Sequence, residues 1–134
     1  MSNETEVAPE ASAPDEGGRS QRGLLAWQLE TYRRNHTTRA NLLVHAVTVP
    51  MFHLGLLSLL VAPFSLNEGA VLSGFVTMVL VVAVQGYMHR REPSAPFPFR
   101  GPFDVLGRIL AEQLITFPRF FFTGAWFEAW RDAK

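Results

Sequence analysis

The chain has four histidines, His36, His45, His53 and His89. Three of them follow a hydrogen-bonding residue by four positions: Tyr32 before His36, Asn41 before His45 and Gln85 before His89. On a helix such pairs share a face, so Tyr32, Asn41 and Gln85 are candidates to hold each imidazole in one tautomer for metal binding. A lone histidine more often caps a helix or hydrogen-bonds inside a bundle, so the grouping matters more than any one ring. Imidazole suits iron, copper, zinc and nickel. Three histidines with open positions, or two plus Glu92, resemble the ligand sets that hold non-haem Fe(II) for oxygen activation. A haem bound between His45 and His89 stays open as an alternative.

Other chemistries are excluded. With no cysteine there is no disulfide, Cys-ligated zinc, iron–sulfur cluster or thiol catalysis. No nucleophile motif or Gly-rich phosphate loop is present. The 12 Lys+Arg balance the 12 Asp+Glu, so charge gives no reason to expect a nucleic acid partner.

The elements that must position the histidines are read from where charge is missing. Between Arg39 and Glu68 lie 28 residues without Asp, Glu, Lys or Arg, and between Glu68 and Arg90 another 21. Either stretch can cross a hydrocarbon core, which takes roughly 20 helical residues. The fold class expected is all-α: an integral membrane helical hairpin, spans about 40–61 and 69–89, with flanking amphipathic or interfacial helices. Pro50 bends the first span and residues 62–68 form the turn. Residues 1–22 are acidic and poor in apolar side chains, which predicts a disordered tail, and 23–134 form a single membrane-embedded domain. Leu25, Leu29 and Tyr32 predict a short amphipathic helix, with Trp27 off the stripe at the membrane interface. A Pro-rich connector leads to a segment about 103–130, apolar but carrying Arg108, Glu112, Gln113, Arg119 and Glu128. Because a charge at bilayer mid-depth costs at least about 2.5 kcal/mol, that segment is expected to lie in the interface, bent at Pro118.

The hairpin sets the depth of each histidine. His45, near the start of the first span, and His89, at the end of the second, come to similar depth. His36 folds back across the Thr37–Arg39 turn, so three imidazoles converge at one rim, with Glu92 a turn beyond. His53 lies eight residues past His45, about 12 Å deeper and rotated by roughly 80°, which sets it apart. Arginines precede the first span and come after the second, while the turn has none, so both termini are expected in the cytoplasm. Arg90 or Arg91 could grip a substrate carboxylate at that rim, although topology alone also explains them.

The run Tyr32-x-x-x-His36-x-x-x-x-Asn41-x-x-x-His45-x-x-x-x-Pro50, the block Gln85, Gly86, His89, Glu92 and the closing AEQLITFPRFF resemble the 2-hydroxy fatty acid dioxygenase family. That family is known from the fungal endoplasmic-reticulum enzyme of phytosphingosine breakdown and from shorter bacterial members. The resemblance implies a membrane-bound Fe(II)-dependent dioxygenase that shortens a 2-hydroxy fatty acid by one carbon, a fatty acid alpha-oxidation. It assigns His36, His45 and His89 as iron ligands, with His53 added in a four-histidine version. Expected partners are a lipid or fatty acid, O2, the membrane and, because two spans bury little, a second copy of the chain. The location would be the cell inner membrane in a bacterium or the endoplasmic reticulum in a eukaryote. The competing reading is a non-enzymatic small membrane protein, a haem-binding or assembly module whose histidines are structural.

Overall fold

The computed structural model describes residues 23–134; the expected disordered tail, 1–22, lies outside the described residues. Helix α1 (Leu24–Thr31) runs through a single 3-10 turn (Arg33–Asn35) and a short loop into α2 (Arg39–Val61). A second 3-10 turn (Ala62–Ser65) leads to α3 (Glu68–His89). Beyond the Pro-rich connector come α4 (Pro102–Ala111), a π turn (Glu112–Thr116), α5 (Phe117–Phe122) and α6 (Ala125–Asp132). Among the described residues there is no strand.

Each long helix begins at a side-chain cap. Thr38 accepts from Asn41 N at 3.4 Å to start α2, and Asn67 accepts from Ala70 N at 3.0 Å to start α3. Between them Leu66 adopts a left-handed φ of 50° that turns the chain back. The helix α2 continues through Pro50. The hairpin closes over two glycines: a Cβ on Gly55 would stand 2.9 Å from Gly74 O, and one on Gly74 would stand 2.7 Å from Gly55 O. Any side chain there would force the backbones apart, so small residues set the spacing. Ser58 Oγ adds a 2.8 Å bond to Ala70 O across the same contact.

Both hairpin helices are long and apolar enough to cross a membrane, and only 22% and 17% of their most apolar windows are buried within the protein. The core helix of a soluble domain would bury most of that surface. Here Leu43, Leu54, Leu60, Leu72, Phe75 and Leu80 all point outward.

The last third departs from one interfacial helix. It breaks at the π turn and again at Gly124, whose φ of 86° is left-handed. Its buried face joins α2 and Tyr32, just past α1, in a core that also holds Leu42, Val49, Phe117, Phe120 and Ala129. Trp126 Nε1 donates to Leu42 O at 3.2 Å. Of the polar positions expected to keep this segment flat, Arg119 and Glu128 are exposed but Gln113 is fully buried, as is Thr116 beside it. Trp27 is a second correction. It is 4% exposed, edge-on to Phe97 at 5.3 Å and under the Arg108 guanidinium at 5.2 Å, because the connector and α4 fold over α1.

Candidate metal centre

His45 faces inward from α2, His89 from the last turn of α3, and His36 from the loop between the 3-10 turn and α2. Their rings meet edge to face, with centroids 4.5, 4.8 and 5.0 Å apart. The π turn brings Glu112 into the same point. Its Oε1 lies 3.5 Å from His36 Nε2, 3.3 Å from His45 Nε2 and 3.7 Å from His89 Nε2. One ligand atom from each of the four residues falls within 4.8 Å of all the others.

Backbone carbonyls fix two of the tautomers. His36 Nδ1 sits 2.8 Å from Tyr32 O and His45 Nδ1 3.0 Å from Asn41 O, and since a carbonyl can only accept, both Nδ1 atoms carry the hydrogen. The expected partners, Tyr32 and Asn41, therefore act through their main chains. Each neutral ring then turns a bare Nε2 lone pair toward the centre, and both Nε2 atoms are buried without a hydrogen-bond donor among the described residues. Tyr32 adds a stacked ring 4.0 Å from His36 and a hydroxyl that donates to Glu112 Oε1 at 3.0 Å.

Electrostatics point the same way. Burial, and then the neighbouring His45, push His36 down to about 4, so this ring is neutral at physiological pH. Burial would raise Glu112, and hydrogen bonds given by the imidazoles around it are what would hold its carboxyl well below the usual range. A neutral His36 whose hydrogen is given to a carbonyl has none to offer Glu112. Lone pairs and a carboxylate face one another stably only around positive charge, either a shared proton or a metal cation. The three distances to Glu112 Oε1, 3.3 to 3.7 Å, suit a metal, since four ligands at about 2.1 Å in a tetrahedron lie about 3.4 Å apart. The cluster of donors therefore fits a divalent ion.

Other expected site residues have different jobs. Glu92 is not in the cluster. Its carboxylate accepts from Thr37 N (3.1 Å), Thr37 Oγ1 (2.6 Å), Thr38 N (3.3 Å), Thr38 Oγ1 (2.9 Å) and Asn41 Nδ2 (2.7 Å), tying the loop after His36 to the end of α3. Those bonds outweigh the upward push of burial and lower its pKa. Gln85 does not hold His89; it donates to Thr48 Oγ1 at 2.8 Å and accepts from Gln113 at 2.5 Å. His53 meets Gln113 O instead of the centre. Arg90 lines a cavity of about 200 Å³ beside the cluster, along with Trp27, Tyr32, His36, His89 and Glu112. Arg91 instead lies over the Tyr87 ring at 5.0 Å. The cavity gives the centre its open side: the His89 and Glu112 side chains are 20% and 16% exposed, against 1% and 0% for His36 and His45.

No protein-family model, curated protein or solved structure matches this chain. Glu112 is the site residue that sequence reasoning missed. Its signal was a carboxylate inside an apolar run, read as a reason for the helix to lie flat when it equally marks a group satisfied inside the protein.

Proposed function

We propose that this chain is a membrane-bound Fe(II)-dependent dioxygenase that converts a 2-hydroxy fatty acid to the acid one carbon shorter. The observation that carries the metal half is the pair of buried, donorless Nε2 atoms of His36 and His45 aimed at Glu112. Three imidazoles and one carboxylate form a set suited to iron, with His89 and Glu112 toward the cavity where substrate would enter. The lipid half rests on the resemblance of the histidine run and on two helices whose apolar faces suit a bilayer. Both termini would lie on the cytoplasmic side.

The reaction balances without a further reductant: RCH(OH)COOH + O2 gives RCOOH + CO2 + H2O. The bond between the carboxyl and hydroxyl carbons breaks, and the four electrons lost by those carbons reduce O2. Bound Fe(II) would supply the electron transfer to O2 and a Lewis-acid contact to substrate. The protein's own groups do the rest. Arg90 offers a guanidinium to the substrate carboxylate, Trp27 and Phe99 close apolar walls around the first carbons, and Tyr32 orients the Glu112 carboxylate. The interlocked rings, with centroids 5.0 Å apart for His45 and His89, leave no plane between them for a porphyrin, which weighs against a haem module.

The test is anaerobic purification with Fe(II), then oxygen uptake with 2-hydroxy fatty acids and chain-length analysis of the product. Metal uptake should be lost on His36→Ala, His45→Ala and His89→Ala. Iron bound without oxygen uptake would overturn the substrate assignment, a Soret band would favour haem, and no metal at all would favour purely structural histidines.

A further inference from the structure

The fourth histidine stands outside the cluster, yet it touches the turn that delivers Glu112. In that π turn Phe117 N–H donates to Glu112 O, five residues back. By the same pattern the Gln113 carbonyl awaits the N–H of residue 118. Residue 118 is proline and has none. His53, reaching across from α2, supplies the donor: its Nε2 lies 2.7 Å from Gln113 O. The carbonyl can only accept, so this nitrogen carries the hydrogen. The Gln113 side chain is held separately, donating to Gln85 at 2.5 Å.

We propose that His53 is a positioning residue for the metal centre: by giving Gln113 the hydrogen that Pro118 lacks, it holds the π turn in the register that presents Glu112 to His36, His45 and His89. The proposal rests on reading that cluster as a metal centre. Without His53, Gln113 O would draw the Phe117 N–H, the α-helical donor four residues on, away from Glu112 O and convert the turn to α geometry. Removing one residue from the turn rotates α4 by about 100° relative to α5. Glu112 would then rotate off the centre. His53 thus acts on the metal through Gln113 and Glu112, never touching it.

The experiment titrates the detergent-purified full chain, free of metal, with Co(II), monitored by visible absorption, with thermal unfolding by circular dichroism alongside. His53→Leu should weaken Co(II) binding roughly 10- to 100-fold and alter the band envelope, as loss of an outer partner does. His53→Gln keeps an N–H donor and should recover affinity to within about threefold of wild type. Pro118→Ala supplies the missing N–H, so adding His53→Leu to that background should weaken binding by less than about threefold. Should His53→Leu alone fail to fold, that pair carries the test, and a tenfold or larger gap within it overturns the proposal. Unchanged Co(II) affinity and spectrum in His53→Leu, even with a lower Tm, leaves His53 merely structural and overturns it. Failure of His53→Gln to recover overturns it too. A wild type that takes up no Co(II) overturns it together with the metal reading, whereas Co(II) binding without oxygen uptake by the iron form removes only the substrate assignment.

Discussion

Replacing Glu112 with Gln separates a metal centre from a buried ion pair, because the two accounts predict opposite effects on the metal-free protein. In a metal centre Glu112 brings the one anionic ligand to a site where the His36 and His45 side chains are 1% and 0% exposed. Removing one member of a buried charge pair costs about 3–5 kcal/mol. That corresponds to roughly 10²- to 10⁴-fold weaker metal binding. The metal-free protein should hardly suffer. An amide nitrogen in the place of Oε1 can donate to the bare Nε2 atoms of His36 and His45, which lack donors now, at the loss of the bond that Tyr32 donates to that same atom. A neutral bond of this kind contributes about 1 kcal/mol, so stability should stay level or rise by that amount. If Glu112 were instead the partner of a protonated histidine, the same change would destabilise the metal-free protein by several kcal/mol. The assay is metal content after anaerobic reconstitution, Co(II) titration and thermal unfolding of the metal-free form near pH 7. Wild-type affinity in Glu112→Gln, or a large fall in the stability of its metal-free form, would refute the reasoning.

Three further outcomes are expected. Because Glu92 titrates below the ordinary carboxylate range in the folded state, its contribution is complete above the unfolded pKa and is lost as pH falls through the lowered value. Denaturant melts between pH 3 and pH 7 should show Glu92→Gln reducing stability on the order of 2 kcal/mol at pH 7 and flattening the acid slope. Gly74→Ala puts a Cβ 2.7 Å from Gly55 O and should cost about 1–3 kcal/mol by spreading the hairpin, measured by thermal unfolding in detergent. Reporter fusions at residue 66 and at the C-terminus should report opposite sides of the membrane; the same side for both would end the two-span topology.

The long uncharged stretches determined by themselves that two helices form, because a run of some twenty apolar residues has no competing pattern. The hairpin helices Arg39–Val61 and Glu68–His89 begin within one residue of the expected starts and end on the expected residues. Antiparallel return of the chain then fixed relative depth, which is why His36, His45 and His89 could be grouped, and His53 set apart, from the residues alone. What lies around them could not be read this way. Trp27 sits in the core because a connector some seventy residues later folds over it. Gln85 faces Gln113 and Thr48, and Glu92 serves the loop after His36, because partners on other elements compete for their polar groups. Glu112 reaches the histidines only because a π turn breaks the 3.6-residue phase on which any reading of helix faces depends. Its contact with Tyr32 spans 80 positions of chain. Local periodicity sets which residues share a face; only packing between distant segments decides what that face meets.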